Sequence, residues 1–210
     1  MSSDTHSSGD SEPASLEDIP AEWYDAFRHP RRVRLLAVLG SSRTRLSLTE
    51  LTTAIVENEP LECPTHRARD DVRISLRHNH LPRLADYGIV EVDDEDGVEL
   101  VDEPPVAPTT LTSLLEVCER ENCEQLLNAL VHPVRFRVCS MVADYDRPLD
   151  LERLASELAA RDIDALSNPE RAALVLSHTH LPMLADAGVL EFDHESGRVT
   201  DRERAIPLVQ

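Results

Sequence analysis

Apolar residues recur at helical spacing in three segments of the first half of the chain, and the same patterns return in the second half. The segment "FRHPRRVRLLAVL" matches "LVHPVRFRVCSMV" 103 residues later, and "LSLTELTTAIV" matches "LDLERLASELA" at the same distance. The phrase "HNHLPRLADYG" begins at His78 and returns 100 residues later as "HTHLPMLADAG" from His178. These matches predict a tandem repeat of one structural unit.

The first two helices of each unit have clear start signals. The proline of His-Pro opens the first helix in both copies, at a position where its missing N–H costs nothing. Ser47 and Glu50 have the spacing of a capping box at the start of the second helix, and Asp150 is the N-cap expected in the second copy. Each unit therefore begins with two short helices.

A third, longer helix is predicted over residues 69–87 and again over residues 169–187. Gly88 and Gly188 end these helices, because glycine accepts the left-handed conformation that a helix terminus favours. Pro82 and Pro182 lie inside the helices and predict a kink or a break into two shorter helices. The alternating residues that follow, around the turns "DEDG" and "HESG", predict a β-hairpin.

These elements predict a mainly α fold with small β-hairpins, of the α+β class. Three helices followed by a hairpin is the order of a winged helix-turn-helix, so two such domains are expected in tandem. Residues 1–17 are predicted to be a disordered acidic N-terminus, 18–101 the first domain, and 102–110 a proline-rich, extended linker. Residues 111–205 form the second domain, which opens with one long amphipathic helix over 111–130.

The order of elements is accompanied by a resemblance to known families. The stretch "LVHPVRFRVCSMVADYDRPLDLERLASEL" resembles the opening of ArsR-type winged-helix repressors, and "HLPRLADYGIV" resembles the end of their recognition helix. The segment "VRISLRHNHLPRLADYGIVEVD" is more closely similar to a haloarchaeal winged-helix domain family of unknown function. The resemblance implies a transcriptional regulator, but the cysteine and histidine ligand patterns of the metal-sensing members do not occur at the matching positions.

The charge of the chain indicates an unusual solvent environment. Its 210 residues contain 40 acidic and 21 basic side chains, every basic one is arginine, and the formal net charge is −19. An acidic surface without lysine is typical of proteins from a cytoplasm that contains molar salt, where the screening length falls to about 3 Å. The total charge then says little about partners, because repulsion acts only at contact distance and the local surface decides nucleic-acid binding.

Other functions receive no support from the sequence. The four cysteines form no CxxC pair, no run of about 18 apolar residues could cross a bilayer, and no signal peptide is recognisable, so a cytoplasmic protein is expected. His78 and His80 are two positions apart, a spacing that places them on opposite faces of a helix and argues against metal binding. No catalytic constellation or phosphate loop is recognisable, and we expect no enzyme activity and no cofactor.

Arginine is concentrated in the third helix of the first copy. Residues 66–84 contain five arginines against two aspartates, a local net charge of +3 in an acidic chain. From a major groove, Arg73, Arg77 and Asn79 could read base edges. Phosphate contacts suit Arg67, Arg69 and Arg83. Double-stranded DNA is therefore the expected partner, although arginines that pair with acidic neighbours of the same chain are the alternative.

The second copy has lost these arginines. Ala173, Ser177 and Met183 replace Arg73, Arg77 and Arg83, and Arg171 is the only arginine left in the helix. The first copy is thus the expected DNA reader, and the second is a candidate for contacts between domains or in a homodimer. The alternative function is a protein-interaction or oligomerisation module that does not bind DNA. The sequence leaves open whether the two copies form an intramolecular pseudo-dimer.

Overall fold

A computed structural model describes residues 23–42, 44–59, 66–93, 97–101, 106, 108–120, 122–145, 147–161 and 166–202. The predicted disordered segment 1–17 lies outside these residues, as do 102–105 and 107 of the predicted linker. The described part is mainly helical, with two small antiparallel sheets of three strands each. The α+β class expected from the sequence is thereby confirmed.

The first repeat contains a short helix, two longer ones, a third composite helix and a three-stranded sheet. Its elements are α1 (Tyr24–Phe27), α2 (Pro30–Ser41), β1 (Leu46–Ser47), α3 (Leu48–Asn58), α4 (His66–Ser75), a π-helical turn π1 (Leu76–His80), α5 (Leu81–Asp86), β2 (Val90–Val92) and β3 (Gly97–Leu100). The capping box at the start of α3 is present, with the Ser47 hydroxyl accepting from the Glu50 N–H. Gly88 has a φ of 67°, as expected for the residue that ends the third helix.

The second repeat follows the same order. Its elements are α7 (Cys123–Leu130), α8 (Pro133–Ala143), β4 (Leu149–Asp150), α9 (Leu151–Ala160), α10 (Pro169–Val175), π2 (Leu176–His180), α11 (Leu181–Asp186), β5 (Leu190–Asp193) and β6 (Arg198–Asp201), and α6 (Pro108–Cys118) precedes them. Asp150 is the N-cap of α9, but its side chain makes no capping hydrogen bond. Gly188, with a φ of 72°, repeats the role of Gly88.

Each sheet has one more strand than the sequence predicted. The hairpin strands β2 and β3 pair antiparallel, and the two-residue strand β1 pairs with the other edge of β3. The second sheet has the same order, β4-β6-β5. Two residues are too short to show a period of two, so this strand could not be recognised from the pattern.

The connection between the repeats differs from the predicted one. The helix expected over 111–130 is two helices, α6 and α7, and α6 begins at Pro108, inside the segment predicted to be an extended linker. Val106, in the same segment, is 2% exposed and belongs to the core. The prediction of one long helix was therefore wrong, and apolar spacing could not reveal the break because it continues on both sides of it.

The two repeats share one hydrophobic core through this connection. Helix α6 packs against α2 of the first repeat, where Arg34 donates from Nη2 to the Cys118 carbonyl O at 3.2 Å. Arg28 donates from Nε to the carbonyl O of Val131 at 3.0 Å. Arg28 and Val131 occupy equivalent positions of the two repeats, 103 residues apart, whereas α6 has no counterpart among the described residues of the first repeat.

Candidate nucleic-acid interface

The composite third helix of the first repeat, from α4 through π1 to α5, has an apolar inner face and a basic outer surface. Its inner residues recur every four positions and are each at most 2% exposed: Val72, Leu76, His80 and Leu84. Arg69, Arg73 and Arg77 recur at the same interval and are exposed. We call these three residues the arginine ridge. Their spacing of four aligns guanidinium groups along one side of the helix.

The ridge and its neighbours are accessible to a large ligand. Arg69 donates from Nη2 to the Thr53 hydroxyl of α3 at 3.1 Å, which ties the beginning of the ridge to the preceding helix. Arg73 makes no hydrogen bond or ion pair with any residue that the structure describes. Arg67 and Asn79 are exposed as well. Five of the six residues predicted to contact DNA therefore offer their side chains to solvent around one helix.

Arg83, the sixth predicted residue, belongs to a different cluster. Its Nε lies 3.6 Å from Oδ2 of Asp25, to which the Tyr87 hydroxyl also donates at 3.1 Å. Arg32 approaches the same carboxylate oxygen at 3.7 Å. The side chain of Arg83 is still about half exposed, but its charge is partly balanced by α1. The alternative foreseen for the arginines, pairing with acidic residues of the same chain, is found at Arg83.

Pro82 is accommodated by a π-helical turn. In π1 the helix widens, and the N–H of Leu81 donates to the carbonyl of Leu76, five residues earlier. A proline ring clashes with the carbonyl four residues before it in an α-helix, and the wider turn relieves this clash. The same turn precedes Pro182 as π2. The predicted break into two shorter helices is not found, because the backbone stays helical from His66 to Asp86, through the turn that carries Arg77 and Asn79.

A pair of histidines fixes the third helix against the first one. His29 is the N-cap of α2, with Nδ1 accepting from the Arg31 N–H at 3.1 Å, and its ring lies 4.4 Å from the ring of His80. His80 is buried, and its Nδ1 has no hydrogen-bond partner. Burial, followed by the charges of His29 and the nearby arginines, lowers the pKa of His80 to about 3. The imidazole is therefore neutral at physiological pH and acts as a packing group.

The second repeat has the same pair. His132 caps α8 and lies 4.9 Å from the buried ring of His180, and burial lowers the pKa of His132 to about 3. In each repeat the other histidine of the phrase, His78 or His178, is exposed. Among the described residues, no group of three or more histidine, cysteine or acidic side chains could hold a metal ion. Sequence reasoning missed the capping histidines, although their place before the helix-starting proline was a usable signal.

The acidic charge of the hairpin formed by β2 and β3 is partly neutralised. Arg45 pairs with Asp93 at 2.7 Å and also with Glu99, which lies across the hairpin. The hydrogen bond from Arg45 lowers the pKa of Glu99. Residues 94–96 at the tip lie outside the described part of the chain. Next to the tip of the hairpin, then, the carboxylates of Asp93 and Glu99 share the guanidinium group of Arg45.

The matching surface of the second repeat is uncharged and partly apolar. Leu174 is 60% exposed and Met183 44% exposed, and the Ser177 hydroxyl donates to the Leu174 carbonyl. Ala173, at the position of Arg73, is half-buried. The two repeats thus share their internal packing and an exposed apolar residue, since Ile74 at the position of Leu174 is 59% exposed, and they differ at the positions of Arg73, Arg77 and Arg83.

Comparison with known proteins agrees with the internal repeat. The family model described as "Domain of unknown function (DUF7344)" matches residues 24–99 and again residues 127–200. No curated protein and no solved structure matches the chain. Helix α6 lies between the two matched regions. In the described residues, no helix has both the length and the apolar character needed to cross a membrane.

Proposed function

The chain belongs to the family described as a domain of unknown function (DUF7344), and on that premise we propose that it is a DNA-binding transcriptional regulator built of two winged helix-turn-helix domains. In each domain α3 or α9 is the first helix of the helix-turn-helix, the composite third helix is the recognition helix, and the hairpin is the wing. The first repeat is the principal reader of DNA.

The arginine ridge is the observation that carries this proposal. Arginine forms bidentate hydrogen bonds with guanine and with phosphate oxygens, and a helix of this width enters a major groove. Arg73 and Arg77 extend from the middle of the helix to the π-helical turn, and both are exposed. Arg73 has no hydrogen-bond or ion-pair partner among the described residues, although Asp70 lies three positions before it on the same helix, so a ligand is the better explanation for this exposed guanidinium group.

The second repeat supports an asymmetric use of the two domains. The core, the capping histidines and the π-helical turn are repeated, whereas the ridge is not. Arg28 and Val131 join equivalent parts of the two repeats, which favours an intramolecular pseudo-dimer with one basic and one neutral recognition helix. Such a protein would read a site that is not palindromic.

The test is fluorescence anisotropy with fragments of the neighbouring promoter and random duplex DNA, in molar KCl. The Arg73→Ala plus Arg77→Ala variant is expected to bind at least about tenfold more weakly, since each lost bidentate contact costs about 1–3 kcal/mol. Arg161→Ala plus Arg198→Ala removes the same charge from exposed positions of the second repeat and serves as control. Equal affinity of the ridge variant and wild type would refute the proposal.

The second candidate function is a protein-interaction module, favoured by the exposed Leu174 and Met183. These side chains suit self-association through the third helices of two second repeats. Sedimentation equilibrium decides between the functions: a dimer that dissociates in Leu174→Asp, together with absence of DNA binding, would favour the interaction module.

A further inference from the structure

A small cavity lies between the third helix and the wing of the first repeat. Its volume is about 150 Å³, and its wall is almost entirely apolar, made of Leu48, Leu81, Pro82, Ala85, Val92 and Val98. Arg77 is the charged side chain among its lining residues. An apolar cavity of about 150 Å³ is large enough for a benzene ring. The position therefore combines an apolar volume of one ring with an arginine side chain.

The second repeat provides an internal comparison. Leu48, Leu81, Pro82 and Ala85 have identical counterparts at Leu151, Leu181, Pro182 and Ala185, and the strand pairing aligns Val98 with Val199. Only two lining positions differ between the repeats. Phe192 stands in place of Val92, and Ser177 in place of Arg77.

These two differences are related. Val92 pairs with Val98 across the hairpin, and Phe192 pairs with Val199 in the same register, so their side chains leave the sheet in the same direction. Phe192 packs against the core of the second repeat, and its ring lies 4.3 Å from the ring of His194. The second repeat therefore has the benzyl side chain of Phe192 and no arginine at this position, whereas the first repeat has the smaller Val92 together with Arg77.

We propose that the cavity of the first repeat binds a small aromatic carboxylate, whose ring lies beside Val92, at the position where the second repeat has the ring of Phe192, and whose carboxylate faces Arg77. A guanidinium group binds a carboxylate through two parallel hydrogen bonds, which selects an acid over an uncharged analogue. Pro82, Ala85 and Val92 are exposed, so the ligand enters from solvent without unfolding the hairpin. The site goes beyond DNA binding and stands without it, although Arg77 also belongs to the arginine ridge.

The test uses benzoate as the probe and the full chain without DNA. Benzoate is titrated at constant KCl concentration, and the amide resonances of Ala85, Val92 and the residues around Arg77 are followed by two-dimensional NMR. Benzyl alcohol, which has the ring without the charge, is titrated in parallel. Wild type is expected to bind benzoate with saturation at these residues and at least tenfold more tightly than benzyl alcohol.

Two variants separate the ring from the charge. Val92→Phe, which copies the second repeat, is expected to weaken both ligands at least tenfold, whereas Val101→Phe, at an exposed position outside the cavity lining, leaves binding unchanged. Arg77→Ser is expected to remove the preference for benzoate but keep the weak binding of benzyl alcohol. Circular dichroism checks that each variant is folded.

The outcome that overturns the proposal is equally specific. Benzoate shifts that do not saturate, or that persist unchanged in folded Val92→Phe, would show that the cavity is not a ligand site. Equal affinity of wild type for benzoate and benzyl alcohol would overturn the role given to Arg77. Neither result depends on whether the protein binds DNA.

Discussion

Acid is expected to destabilise the protein through its buried histidines. Burial lowers the pKa of His80 from 6.5 to about 3, and the groups that face its ring, from α2 and α5, are His29, Arg31, Arg32 and Arg83. All of them oppose a positive charge on the imidazole. The folded state therefore resists protonation, whereas the unfolded chain takes up a proton near pH 6.5. Above that pH the histidine is neutral in both states and costs no stability. As the pH falls from there toward about 3, the free energy of unfolding decreases, because only the unfolded chain takes up the proton.

The magnitude follows from the size of the pKa difference. Each pH unit inside this window removes about 1.4 kcal/mol from the free energy of unfolding for one such histidine. At about pH 5 the loss through His80 is about 2 kcal/mol, and His132, whose pKa burial also lowers to about 3, contributes about as much. The sum is a large part of the roughly 5–15 kcal/mol by which a domain is stable.

The assay compares variants, because protonation of the many carboxylates also changes stability with pH. Urea unfolding is followed by circular dichroism at about pH 7.5 and about pH 5, in constant KCl, for wild type, His80→Leu and His78→Leu. His80→Leu removes the buried imidazole, so it should lose about 2 kcal/mol less than wild type between the two pH values. His78→Leu changes the exposed histidine of the same turn and should follow wild type. Identical pH dependence in all three proteins would refute the reasoning.

Three further substitutions test the local structure through the free energy of unfolding in the same urea assay. Gly88→Ala should cost about 1–2 kcal/mol, because alanine disfavours the left-handed φ of 67° at this position. No atom lies within 4 Å of the new Cβ, so the backbone conformation alone sets this cost, and a cost near zero would contradict it. Ser47→Ala should cost about 1 kcal/mol, and Asp150→Ala clearly less, because only Ser47 makes the capping hydrogen bond; equal costs would count against this difference. Arg31→Met should cost about 1–3 kcal/mol, since it breaks hydrogen bonds of 2.7 and 2.8 Å to Glu59, which is then left mostly buried without its partner; an unchanged unfolding midpoint would show that this ion pair contributes nothing.

Much of the fold could be predicted because its signals are local. The helices that start at Pro30 and Pro133, the capping box at Ser47, and the glycines that end the third helices each depend on residues within one or two turns. The duplication was also evident from the sequence, since matching residues recur 103 and then 100 positions apart. The spacing of Arg69, Arg73 and Arg77 is local in the same sense, because residues at intervals of four share one side of a helix wherever the helix packs.

What the tertiary structure decided depends on contacts between distant residues. Arg83 resembles the ridge arginines in sequence, but packing of α5 near α1 brings it within 3.6 Å of Asp25. Spacing places His80 on the inner face of the third helix, but packing against α2 gives its ring His29 as a neighbour, 51 positions earlier. Helix α6 packs against α2, and the cavity beside Arg77 depends on the hairpin folding back over the third helix. Spacing along the chain sets which residues share a face, whereas the partner of that face is chosen by burial of the whole core, and no short pattern encodes that choice.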